Sequence, residues 1–182
     1  MFQVVIPIIL LENALLLFLK NFHSMINVLF VCLGNICRSP AAEAVFNALI
    51  KENGLENELQ CDSAGTAAYH VGEPADYRMR QFAKKRGYQC TSISRPVNPN
   101  SDFGRFDYII AMDRQNLKDL KAMAQNDSDR KKIFLMTDFA SSVKFDSVPD
   151  PYYGGDAGFE LVLDILEDAC EGLISKLREV IK

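Results

Sequence analysis

The sequence predicts an α/β fold: a parallel sheet with helices on both faces. Two observations carry this. Short apolar runs rich in β-branched residues, INVLFVC and DYIIAM among them, alternate with stretches of helical period, and such alternation builds βαβ units. The chain has 182 residues, 48% apolar and 24% charged, which suits one soluble domain with a sizeable core.

The elements follow in order. Ile26 to Cys32 reads as a buried strand. A tight loop leads to a helix from Pro40 to about Glu52, with Ala41, Ala44, Val45, Ala48 and Leu49 on one face. Ser39 is a good N-cap, Pro40 suits the first helical position, and Gly54 is a stop signal. Leu59 to Ala64 is a second strand, and Pro74 to Lys85 a helix closed by Gly87. Asp107 to Met112 is a third strand. Asp113 to about Ala124 is an amphipathic helix with Leu117 and Leu120 inward. Lys132 to Met136 is a fourth strand. Asp156 to Ile181 is a long helix with Phe159, Leu163, Leu166, Leu173 and Leu177 among its apolar positions. Asp76, Asp102 and Asp113 are expected to cap helices.

Composition excludes some functions. The net charge of −4 offers no basic face for nucleic acid, so none is expected as a partner. Five cysteines, an odd number spread through the chain, do not form a secreted disulfide framework. With no CxxC pair, and only His23 and His70 as histidines, no metal is expected. Cys61, Cys90 and Cys170 read as small buried hydrophobes.

Residues 1–24 are strongly apolar but interrupted by Glu12 and Asn13, and short for a spanning helix. They lack the basic start and cleavage site of a secretory signal. The preferred reading is an upstream extension, with Met25 as the natural start and residues 25–182 as the domain. The alternatives are a weak anchor or an uncleaved signal, and a membrane enters only through them. The expected location is cytoplasmic.

The chemistry gathers in VCLGNICRSP, Val31 to Pro40, between the first strand and its helix. Open parallel sheets bind ligands beyond the carboxyl ends of their strands, where this loop lies. Successive N–H groups there form a nest, and the helix adds its positive end. Gly34 permits conformations that a side chain forbids. Arg38 offers a planar fork matched to two phosphate oxygens. A helix N-terminus and nearby cations favour the thiolate form of a cysteine, so Cys32 is the candidate nucleophile, with the Ser39 hydroxyl as a hydrogen-bond donor to it. C-x5-R alone is a weak pattern, but its place after a strand and before a Ser-Pro helix start favours an anion cradle over a buried cysteine and a surface arginine. Neither a Walker loop nor GxGxxG is present. Expelling an alkoxide or phenoxide needs an acid, and VPDPYYGG supplies Asp150 between two stiffening prolines. Tyr152 and Tyr153 offer walls for an aromatic ring.

CLGNICRSP, DSAGTAAYHVGEPADYR, FDYIIAMDRQNL and DPYYG, in this order, resemble the low-molecular-weight protein-tyrosine phosphatases, over residues 25–182. The resemblance implies a four-stranded parallel sheet in a three-layer, doubly wound, Rossmann-like sandwich with no cofactor. It implies Cys32 as nucleophile forming a cysteinyl-phosphate, Arg38 as phosphate clamp and Asp150 as general acid and then base. Leu33, Gly34, Asn35, Ile36, Cys37 and Ser39 would complete the phosphate loop. Asn35 would shape it, supported by Ser63. Leu33, Tyr69, Tyr152 and Tyr153 would wall the substrate slot. Ile36 resembles the branch acting on phosphotyrosine, where threonine marks the phosphoarginine branch. Phosphotyrosine proteins are the expected partners, and the chain a monomer or weak dimer. Cys37 has two readings: packed loop residue, or the partner in a reversible disulfide with Cys32, as the family implies. His70 reads as a structural loop histidine, and Arg86 is given no role. The rival functions are an arsenate reductase, for which Cys90 is the candidate relay, and a protein-arginine phosphatase. A binding module without activity would be expected to lose Cys32, Arg38 or Asp150.

Overall fold

The computed structural model describes residues 25–142 and 144–181. The apolar segment 1–24, Lys182 and the side chain of Tyr153 lie outside the described residues. Four strands form one sheet: β1 (Ile26–Cys32), β2 (Leu59–Gly65), β3 (Tyr108–Ala111) and β4 (Ile133–Leu135). Their order is β2-β1-β3-β4, with every pairing parallel. The sheet therefore turns outward in both directions from β1 and β3, and the crevice beyond their carboxyl ends is the topological switch point.

Among the described residues six helices accompany it: α1 (Arg38–Glu52), α2 (Tyr77–Lys85), α3 (Asp102–Arg105), α4 (Arg114–Met123), α5 (Asp127–Lys131) and α6 (Gly155–Ile181). Strand periodicity sorts the core into two layers. Val28, Phe30, Cys32, Ile110 and Met112 pack with α1, α2 and α6. Leu29, Val31, Ala64, Ile109 and Ala111 pack with Phe103, Phe106, Leu120 and Ala124 on the other face. β1 is buried on both faces, so it reads as a continuous apolar run. Among the described residues no helix is long and apolar enough to cross a membrane.

The four strands and four longer helices follow the order of the sequence reading; the short helices α3 and α5 are additional, and the other differences have local causes. The first helix begins at Arg38, and its N-cap position, Cys37, makes no side-chain cap bond. Ser39 is thus not the cap: its hydroxyl faces the Cys32 thiol instead. The buried face of α1 is also broader than predicted, taking in Ala42, Phe46 and Ile50, because α6 covers what the sheet does not. Residues 74–76 are not helical; α2 starts at Tyr77, capped by Asp76 through the N–H groups of Arg78 and Met79. Asp113 caps α4 through the N–H of Asn116. Asp102 is not a cap, because Ser101 occupies that position. The Asp102 carboxylate instead accepts from Arg95 and from the Asn98 N–H. Cys170 is fully buried, whereas Cys61 and Cys90 are only partly so.

Candidate active site

The loop from Leu33 to Cys37 leaves the end of β1 at the switch point and enters α1. Its geometry is fixed by Asn35, whose backbone is left-handed (φ +54°), a region Asn tolerates better than most residues. Three side-chain hydrogen bonds hold it there. Asn35 Nδ2 donates to Ser39 Oγ at 3.0 Å and to Ser63 Oγ at 2.9 Å, and its Oδ1 accepts the Arg95 N–H at 2.9 Å. These partners settle the amide orientation. Ser39 Oγ therefore already accepts one hydrogen bond, and its own proton serves Cys32 Sγ at 3.1 Å or the Ala64 carbonyl at 3.3 Å. The Asn35 N–H also donates to Cys32 Sγ, at 3.3 Å. The sulfur thus receives the Asn35 N–H, with the Ser39 hydroxyl in contact beside it. Among the described residues, the N–H groups of Gly34, Ile36 and Cys37 have no protein acceptor and are available to an anion.

Arg38 is 4% exposed and anchored from three sides. Nη1 donates to Asp113 Oδ2 at 2.6 Å and to the Val148 carbonyl at 3.2 Å, while Nη2 stands 3.5 Å from Asp150 Oδ2. A buried guanidinium needs such partners to offset its lost hydration. Val148 in turn donates its N–H to the Met112 carbonyl, which ties the Asp150 loop to the end of β3. Asp150 Oδ1 accepts the Tyr152 N–H at 3.1 Å, capping the short turn Pro151–Tyr153. Arg78 steadies that turn: its Nη1 donates to the Tyr152 carbonyl, and its guanidinium lies 5.2 Å from the Tyr152 ring centroid.

Cys32, Leu33, Gly34, Ile36, Cys37 and Arg38 line a cleft of about 290 Å³, with Tyr69, His70, Asp150 and Tyr152 at its sides. Asn35, Ser39 and Ser63 lie beneath it, buried. Leu33, Tyr69 and Tyr152 are exposed apolar walls. His70 is a hydrogen-bonded loop histidine, as read from the sequence: it lies 2.8 Å from Glu73 and packs over Gly34 at the edge of the cleft. Burial, together with the charges of Asp76 and Cys32, pushes the Cys37 thiol well up. Asp76 is held below the usual carboxylate range: its partial burial is outweighed by hydrogen bonds from Arg78 and from the backbone. Among the described residues no group of His, Cys, Asp or Glu could hold a metal.

Three participants escaped the sequence reading. Asp113 was expected only to cap a helix, yet it also anchors Arg38. Glu43, one helical turn beyond Pro40, accepts the Ser63 hydroxyl at 2.5 Å. Burial pushes its carboxyl up against the opposing hydrogen bonds of Ser63 and Ser92. Gly65 lets the loop lie close, because a Cβ there would sit 2.7 Å from the Leu33 carbonyl oxygen. None carries a distinctive local signal, although Gly65 belongs to the DSAGT segment.

A buried thiol that accepts the Asn35 N–H, a guanidinium lining the same cleft and a nest of free N–H groups make an anion-cradle site on a doubly wound sheet. The chain belongs to the low molecular weight phosphotyrosine protein phosphatase family, whose model matches residues 27–182. A chicken low molecular weight phosphotyrosine protein phosphatase is 43% identical over 82% of this chain and 94% of its own length. A crystal structure of a protein tyrosine phosphatase from Entamoeba histolytica, with Hepes in its active site, is 56% identical. It covers 85% of this chain and 97% of that one, at a TM-score of 0.82. A Drosophila arginine phosphatase is 34% identical, covering 82% and 96% of the two chains, at a TM-score of 0.76.

Proposed function

We propose that residues 25–182 form a phosphatase domain that hydrolyses phosphotyrosine in proteins through a cysteinyl-phosphate on Cys32. The observation that carries this reading is the convergence on one cleft of Cys32 Sγ, the Arg38 guanidinium and the Asp150 carboxyl, the last two 3.5 Å apart. In the first step the Cys32 thiolate attacks phosphorus and the S–P bond forms as the P–O bond to the phenol breaks. Protonated Asp150 gives its proton to the departing oxygen. In the second step water attacks phosphorus, Asp150 takes its proton, and the S–P bond breaks to release phosphate and the thiolate. Arg38 and the N–H groups of the loop hold the phosphoryl oxygens, so catalysis is mostly positioning and charge stabilisation. Ser39 and the Asn35 N–H stabilise the thiolate at both ends of the cycle.

Tyr69 and Tyr152 suit an aromatic leaving group, and Ile36 favours phosphotyrosine over phosphoarginine. Cys90 is a poor relay for an arsenate reductase, because burial pushes its thiol up to about 12 and it does not line the cleft. The likeness to an arginine phosphatase makes phosphoarginine the second substrate to assay.

The test uses p-nitrophenyl phosphate, phosphotyrosine and phosphoarginine. Turnover of the first two without added metal is expected, with Cys32→Ser abolishing it while retaining phosphate binding. Asp150→Ala should slow poor leaving groups most. Undiminished turnover by Cys32→Ser would overturn the mechanism, and faster phosphoarginine hydrolysis would overturn the substrate.

A further inference from the structure

A second cleft, of about 420 Å³, opens beside the first and shares Ile36, His70 and Tyr152 with it as walls. Its remaining lining includes Glu73, Asp76, Tyr77 and Arg80. Asp76 caps α2 and pairs with Arg78 at 3.2 Å, while Glu73 turns to the His70 ring, its carboxylate oxygen 2.8 Å from Nδ1. The neighbouring cation Arg78 is also packed against the rings of Tyr152 and Phe159. Asp150, across the shared wall, faces Arg38.

Arg80 differs. Its Nε donates to the Ala75 carbonyl at 2.9 Å, and its Cζ lies 5.8 Å from the Tyr77 ring centroid. Both contacts orient the guanidinium without neutralising it. Among the described residues, no carboxylate pairs with it. Arg80 therefore presents a guanidinium without an ion-pair partner, next to exposed tyrosine rings at positions 77 and 152.

We propose that this cleft receives the peptide flanking the phosphotyrosine, and that Arg80 selects an acidic side chain there. The inference rests on the phosphatase reading above. Because the clefts share walls, an extended chain anchored in the first must run past one flank of the mouth. At about 3.3 Å per residue, a neighbour of the phosphotyrosine comes within reach of the second. A guanidinium fork with two unused nitrogens pairs bidentately with a carboxylate.

Single-phosphotyrosine peptides, with Glu, Gln or Lys scanned through the positions on either side, test this against p-nitrophenyl phosphate, which fills only the first cleft. At low salt the best Glu peptide should exceed its Gln counterpart in kcat/KM by roughly 3- to 10-fold, a margin that shrinks as ionic strength rises. Arg80→Gln should bring that ratio to about one, while Arg80→Lys keeps part of it. Arg80→Glu should turn the preference toward Lys, a gain that misfolding cannot produce. If p-nitrophenyl phosphate is hydrolysed but Glu, Gln and Lys peptides are treated alike, or Arg80→Gln lowers all of them equally, the subsite is wrong and the phosphatase reading stands. If p-nitrophenyl phosphate is not hydrolysed at all, both fall.

Discussion

Arg38 Nη1 lies 2.6 Å from Asp113 Oδ2, so a helix cap of α4 also fixes the guanidinium at the floor of the cleft. Asp113→Ala would remove both at once and leave Arg38 buried with the partly exposed Asp150 as its one acidic neighbour. Breaking a buried pair from one side costs about 3 kcal/mol or more. Thermal or denaturant unfolding should show that loss. Phosphatase kcat should fall on the order of 10²-fold from misplacement of the clamp. Asp113→Asn, which keeps the cap acceptor, should recover stability more than activity. Equal recovery of the two would argue against the positioning role.

Glu43 sits under the loop with its carboxyl pushed up by burial. A folded-state value above the unfolded one means that the native state binds this proton more tightly. The associated stability is fully present below the ordinary carboxylate range and is lost as pH rises through the raised value. Glu43→Gln removes that titration. Unfolding free energy measured across this range should therefore decline less with rising pH in the variant than in the parent. Parallel curves would rule the contribution out.

Gly65 ends β2 where a Cβ would lie 2.7 Å from the Leu33 oxygen and 2.9 Å from the Ala67 oxygen, both of them backbone atoms. Gly65→Ala must push the loop away from the sheet. Phosphate affinity, read by competitive inhibition, should weaken about 10-fold or more, since small displacements of a preorganised cradle are costly.

Gly172, inside α6, serves packing rather than catalysis. A Cβ there would collide with the Phe139 carbonyl oxygen. Although alanine is the better helix former, Gly172→Ala should destabilise by roughly 1–3 kcal/mol, as overpacking against a backbone does. A rise in Tm would contradict this. Activity of the folded fraction should be largely retained.

Much of this was legible in the chain. The apolar run Ile26 to Cys32, followed by a glycine-bearing loop and a helix, pointed to the end of the first strand, where the structure opens its cleft. Periodicity works here because buried strands and amphipathic helices repeat their contacts locally. Cys32, Arg38 and Asp150 were also nameable, since their residue types are scarce in such settings and chemically directed. The helix boundaries were less so: Ser39-Pro40 carries a capping signal, but the hydroxyl is drawn to the thiol instead.

What only the tertiary structure decided is which distant residues share a proton or a charge. Asp113 is 75 positions from Arg38, and Glu43 is 20 from Ser63; neither spacing has a local period. The left-handed Asn35 is likewise sustained by Ser63 and Arg95, from other segments of the chain. The unpaired state of Arg80 is a property of its surroundings, because Asp76 turns to Arg78 and Glu73 turns to the His70 ring. The sequence by itself determined the chemistry that the loop could perform. The fold determined how firmly each group is held, because hydrogen bonds and burial depend on neighbours in space rather than along the chain.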